Sequence, residues 1–487
     1  MSDKNLATLF QNRIYRHGSL VGMSYKQDGR WLELSWHEIG QRIKELGRAL
    51  LFQGVEPGHR VAVYGENRPE SAWVDLATLS IGAVNLSIDG RHPLSSTLEM
   101  LRRTESSILF VSGKEREQKV NAERSKLPAL RHVISLEESA AFSAFRSSGR
   151  SVPASRFFER LEKIETDSPA LLFGDTRLNP NSTTSNSDPV VCPQTHGMLL
   201  SACETFAKDL PAGPTDTCFS LMPLGPALER VLGLYSLLEI GTKIVFPTDP
   251  QNPLGEIKES QPTLLLSLPR QLEMLYHHFC ENLAEHSRFS RYLIEKNLSP
   301  KLQDPPKSFS RFVLPKIRQQ FGGKLERILL SGAPLSPRIR HFFQRMGVTM
   351  KELPTDEKRP SLVESWEADL RAEPLINEAS VFQSPGKPLV VLIVPNFRVL
   401  EKRARSERIQ TNYRESLLSN TQVQKWYSKL IEDLNSSKPI DSRIARLELL
   451  PREFSYEEGE ILPPYTLDRD WIQTKHPNLI SRMYGMK

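Results

Sequence analysis

RVAVYGENRPESAWVDLATLSIGAVNLSI, Arg60 to Ile88, decides the fold. Its first six residues form a short β-branched run that ends on a glycine. Pro69 then suits a first helical position, and Trp73, Leu76, Ala77 and Leu79 carry an apolar helix to Gly82. AVNLSI, from Ala83, reads as a second strand. A strand, a helix of crossover length and another strand predict an α/β fold with mostly parallel sheets. Just upstream, Ser35 with Glu38 three residues later forms a capping-box signature. Ile39, Ile43, Leu46 and Leu50 follow at helical spacing, and Gly54 supplies the stop.

The alternation recurs along the chain: SILFV (107–111), HVISL (132–136), ALLF (170–173), KIVFP (243–247), TLLLSL (263–268) and RILLSG (327–332) all read as strands. Residues 282–310 are polar and contain Asp304-Pro305-Pro306, as in an exposed helical excursion with a loop. Residues 353–365 are charged and proline-bearing, the best linker candidate. SVFQ, PLVVLIVP (388–395), an amphipathic stretch through Trp426 and Leu434, and ARLELLP then suggest a small α/β domain. The expected division is a large N-terminal domain over 1–352, a shortened junction over 353–365 and a small C-terminal domain over 366–487.

Composition narrows the function classes. With 39% hydrophobic residues over 487 positions, the chain can bury sizeable cores. Its four cysteines, Cys192, Cys203, Cys218 and Cys280, are too irregularly spaced for a disulfide framework or a structural zinc site. No apolar run reaches the length of a membrane span, and the N-terminus lacks a signal-peptide core, so a cytoplasmic location is expected. A net charge of +6 permits weak contact with anionic headgroups. The scatter of Lys and Arg argues against a nucleic-acid site.

Five segments, in order, resemble the adenylate-forming superfamily and its long-chain fatty-acyl-CoA synthetase branch. They are GVEPGHRVAVYGENRPESAWVDLATLSIGAV (54–84), SLMPLGPALERVLGLY (220–235), QPTLLLSLPRQLEMLY (261–276), KIRQQFGGKLERILLSGAPLSPRIRHFFQRMG (316–347) and LELLPREFSYEEGEILPP (447–464). The resemblance implies a multi-sheet N-terminal domain with a small C-terminal α/β domain. It also implies activation of a fatty acid with Mg-ATP to an acyl-adenylate, followed by transfer to coenzyme A.

The chemistry-bearing positions depart from that pattern. The family's phosphate loop, TSGTTGxPKG, aligns with Ser182 to Val191, so Thr184 and Ser187 replace its glycines and Val190 its lysine. Thr183, Thr184, Ser185 and Ser187 keep hydroxyls without the backbone freedom or the charge. With Gly332, Ala333 and Pro334 of the SGAPL segment they form the expected remnant of a nucleotide site. After Glu352 the YGxTE magnesium motif and a β-rich subdomain are missing; Asp356 and Glu357 read as solvated linker charges. Thr466 stands where the resemblance places the bridging lysine. Pro226 replaces a histidine, Glu229 and Arg230 read as a helix-surface pair or an inter-domain contact, and His196 reads as structural.

Loss of one preorganised donor typically costs about 10² to 10³ in turnover, and here several are replaced together. No catalytic residue and no metal ligand is therefore assigned. ATP, magnesium and coenzyme A enter only as what the resemblance implies. The preferred expectation is a non-catalytic homologue that binds fatty acid or acyl-CoA or pairs with an active paralogous synthetase. The alternatives are a working ligase with substituted machinery and a scaffold that binds only protein.

Overall fold

The computed structural model describes residues 3–137, 140–175, 190–225, 227–249, 253–286, 311–332, 334–353, 361–409, 413–462 and 466–485. The chain divides into two compact units. Met1–Ser267 with Phe321–Arg327 form the first, and Leu268–Gln320 with Ile328–Lys487 form the second.

The strands of the first unit are β1 (Val21–Gln27), β2 (Arg30–Ser35), β3 (Arg60–Gly65), β4 (Val84–Asp89), β5 (Ile108–Val111), β6 (His132–Ser135), β7 (Pro169–Asp175), β8 (Val190–Thr195), β9 (Thr217–Ser220), β10 (Lys243–Phe246) and β11 (Leu264–Ser267). One sheet has the order β6-β5-β3-β4-β7-β8. In it β3 is flanked by parallel partners on both sides, Val61 lying opposite Asn85 of β4 and Ile108 of β5. Among the described residues of this sheet, only β8 runs antiparallel to its neighbour. In the other sheet β11, β9, β10 and β1 are parallel neighbours and β2 folds back antiparallel on β1.

The opening strand-helix-strand unit is realised as read. Helix Pro69–Ser80 starts on its proline and is buried along its whole length. Such burial favours partners for the polar groups. Thr78 and Ser80 donate their hydroxyls back to the carbonyls of Val74 and Leu76, at 2.8 and 2.7 Å, and Glu70 accepts from Arg68 at 2.7 Å. Trp73 is covered by the Arg42 guanidinium, 4.4 Å from its ring. Ahead of it, the Ser35 hydroxyl accepts from the Glu38 amide while the Glu38 carboxylate accepts from the Ser35 amide at 2.7 Å, the capping box that starts helix Trp36–Phe52. Gly54 adopts φ +76°, the left-handed turn that ends this segment.

The second unit holds β12 (Arg327–Leu330), β13 (Thr349–Glu352), β14 (Ile376–Phe382), β15 (Leu389–Pro395), β16 (Ile444–Leu449) and the two-residue pair β17 (Ile461–Leu462) and β18 (Thr466–Leu467). Central β15 is buried at every position; β14 pairs with it antiparallel and β16 parallel. Trp366, Leu392, Val423 and Tyr427 belong to the core around this sheet. Residues 353–361 are all that separate β13 from helix Leu362–Arg371. That helix begins inside the stretch read as linker because Ser361 and Glu364 form a second capping box and Trp366 anchors it, donating its indole N–H to the Ser442 carbonyl at 2.7 Å. Of the polar excursion at 282–310, residues 287–310 lie outside the described residues, as do Asp356 and Glu357.

Candidate functional site

In the first unit, β7 and β8 are the strands that flank in sequence the stretch aligned with the family's phosphate loop. They pair antiparallel with Asp175 opposite Val190 and Gly174 opposite Val191, so the expected lysine position is a strand residue in a hairpin ladder. Thr183, Thr184, Ser185 and Ser187 lie outside the described residues. Beyond β8, Thr195 caps helix His196–Asp209, its hydroxyl accepting from the Met198 amide at 3.2 Å. His196 is fully buried, and neither ring nitrogen has a hydrogen-bond partner among the described residues. Burial lowers its pKa to about 4, so it is a neutral core residue at physiological pH.

The segment 220–235 is fixed by polar contacts that sequence reasoning missed. Asn67 donates its amide to the Met222 carbonyl, and its side-chain oxygen accepts from the Leu224 amide at 2.8 Å. Arg230 is a correction: it is neither on a helix surface nor at an inter-domain contact, but lies 4% exposed within the first unit. Its guanidinium pairs with fully buried Asp75 at 2.8 Å and donates to the Leu224 carbonyl at 2.8 Å and to the Ser87 hydroxyl. Tyr235 donates to the same Asp75 carboxylate at 2.7 Å. Burial pushes the Asp75 carboxyl up, opposed by Arg230 and Tyr235. With its charge fully engaged, Arg230 is not available to a ligand. The available signal was a lone carboxylate, Asp75, in an otherwise apolar helical run.

In the second unit, Gly332 is exposed at φ +100° just past β12, and Pro334 is half-buried. Ala333 lies outside the described residues. Ser336 donates its hydroxyl to Asp369 at 3.1 Å rather than capping helix Pro337–Arg345. Thr466 is exposed on β18, opposite Leu462. The cations around it in sequence already hold carboxylates. Arg452 makes a bidentate pair with buried Glu460 at 2.7 and 2.6 Å, Arg469 makes another with Glu367 at 2.8 and 2.6 Å, and Lys475 pairs with Glu458.

Cys203, Cys218 and Cys280 are free thiols, the first two held protonated by burial. Among the described residues, no group of three or more His, Cys, Asp or Glu side chains could hold a metal ion, and no helix is long and apolar enough to cross a membrane.

Residues 10–353 match the family described as AMP-binding enzyme, and the chain belongs to that family. Relatives include a long-chain-fatty-acid–CoA ligase, FadD15, of Mycobacterium tuberculosis, 25% identical over 67% of this chain and 56% of its own length. Fatty acyl-CoA synthetase A of Dictyostelium discoideum is 23% identical over 67% of this chain and 50% of its own. The chain thus spans about half the length of the curated relatives it matches. Among solved structures, the adenylation domain of a carboxylate reductase from Mycobacterium chelonae superposes with a TM-score of 0.73 at 15% identity, covering 99% of this chain and 91% of that one. The mixed α/β fold is therefore that of adenylation domains.

Proposed function

We propose that this chain keeps the scaffold of the AMP-binding enzyme family without its adenylate-forming chemistry, and acts as a binding or regulatory protein for fatty acid, acyl-CoA or an active relative. The observation that carries this reading is Thr466. At the position the resemblance gives to the bridging lysine stands an uncharged, exposed hydroxyl, and the cations on either side of it in sequence, Arg452, Arg469 and Lys475, are committed to carboxylates. Val190 in place of the loop lysine points the same way. Breaking a triphosphate requires positive charge placed beforehand where negative charge develops. In this reading residues 366–487 correspond to the family's small C-terminal domain, with 353–365 as its shortened junction.

ATP–pyrophosphate exchange, measured with saturated fatty acids of several lengths, tests the proposal. Exchange at the level of a protein-free blank is expected. The competing reading, a working acyl-CoA or acyl-adenylate ligase, draws support from the likeness in fold to a coenzyme A ligase solved with an acyl-adenylate, which covers 98% of both chains at a TM-score of 0.66. Fatty-acid-dependent exchange above blank would establish that reading instead.

A further inference from the structure

The second unit contains a cavity of about 1240 Å³, above the roughly 300 to 1,000 Å³ usual for small-molecule sites. Two helices form its long walls. Phe397–Ser406 turns Phe397, Leu400 and Ala404 into the core and presents Lys402 and Arg403 to the cavity. Thr421–Asn435 supplies half-buried Leu430 and Leu434 beside exposed Lys429. Trp426 lies between them, with the Arg403 guanidinium 4.1 Å from its ring.

The charges around this apolar trough are arranged unevenly. Among the described residues, six cationic and five acidic side chains line it. Four of the acids hold a cation: Glu281 with Arg398 at 3.1 Å, Glu373 with Arg338 at 2.7 Å, Asp369 with Lys438 at 2.7 Å and Glu407 with Arg403 at 3.4 Å. The fifth acid, Asp433, lies one turn beyond Lys429 on the same helix, and neither of these two makes such a pair among the described residues. The lining histidine, His277, adds no charge at neutral pH: burial, opposed by its hydrogen bond to the Arg371 carbonyl, takes its pKa down to about 4. Among the described residues the lining thus combines apolar and aromatic side chains with one more cation than acids.

We propose that this cavity binds a single-chain amphiphile carrying one negative charge, its chain along Leu430, Leu434 and Trp426 and its head at Lys429. A chain of this kind gains by leaving water along an apolar trough, while a flexible ammonium at the mouth meets the head without full desolvation. The assignment narrows the binding role proposed above to one place in the second unit. Pyrophosphate exchange reads that earlier proposal separately, so each can fail alone.

The test is calorimetric titration of the full chain with dodecanoate and with lauroyl lysophosphatidylglycerol below their micellar concentrations, with 1-dodecanol as the uncharged control. Saturable 1:1 binding of at least one anion is expected; which one binds identifies the head as carboxylate or phosphodiester. Lys429→Glu is expected to weaken it about tenfold or more through charge reversal, and Ser406→Trp, which fills the cavity from an exposed position, to abolish it. Both variants should melt like the parent without ligand. The proposal is overturned if neither anion binds, if dodecanol binds as well as the anions, or if both variants bind as the parent does.

Discussion

Arg230 and Asp75 show how one buried pair fixes a stretch of chain. Their contact at 2.8 Å sits where neither side chain reaches water, and Tyr235, Ser87 and the Leu224 carbonyl complete the set. Removing one partner strands the other charge in the interior. Arg230→Ala should therefore destabilise the protein by about 3 to 5 kcal/mol. Adding Asp75→Asn should restore part of that loss, a non-additivity that a double-mutant cycle by urea unfolding would read. His196 makes the opposite case, a buried ring that titrates. Its folded pKa of about 4 lies below the unfolded value, so the unfolded chain takes up the proton first. Stability should be full above about pH 6.5 and fall as pH drops toward 4. His196→Leu should flatten that slope in melting curves taken from pH 7 to 4, leaving the share due to His277.

At the level of single elements, the capping box at Ser361 is the clearest test of local design. Both reciprocal bonds are present, Ser361 N–H to the Glu364 carboxylate at 2.8 Å and Glu364 N–H to the Ser361 hydroxyl at 3.2 Å. Ser361→Ala should cost about 1 kcal/mol and lower the melting temperature. The same motif at Ser35 was legible because an apolar periodic run follows it. At Ser361 it was hidden by the charged, proline-bearing residues before it. Strands with continuous apolar runs, such as β3, β5 and β15, were read correctly because burial on both faces leaves an unbroken signature. The hairpin β1–β2 carries no such signature: VGMSYKQ and RWLELS mix polar and apolar residues, and half of β2 is exposed. Of the candidate site, the substitutions at Val190 and Thr466 were legible residue by residue. The burial of Arg230 was not, since its partner lies 155 positions away in sequence.

Over the whole molecule, buried charge ties segments of the second unit that are distant in sequence to one another. Glu273, on helix Pro269–His286, accepts from Arg371 at 2.8 Å with its own side chain fully buried. Arg270 on the same helix pairs with Glu378 of β14 at 2.7 Å and donates to the Asn377 side chain at 3.1 Å. Burial alone would lower the pKa of Arg371, but Glu273 and Glu378 raise it instead, so the guanidinium stays charged. Helix Pro269–His286 is in this way bonded to the elements on either side of residue 375. Glu273→Gln should loosen them together, seen as faster amide hydrogen exchange in both 269–282 and 366–382, while exchange in β3 to β5 stays unchanged.

The brevity of the 353–361 connection within the second unit, joined to these ion pairs, bears on how the protein can be dissected. A fragment starting at Trp366 would carry Arg371 and Glu378 without Glu273 and Arg270, leaving two charged groups facing solvent where the intact chain has a sealed contact. Chimaeras that import this segment from a relative inherit the same mismatch unless both sides travel together, so the natural cut for recombinant work lies upstream of Leu268.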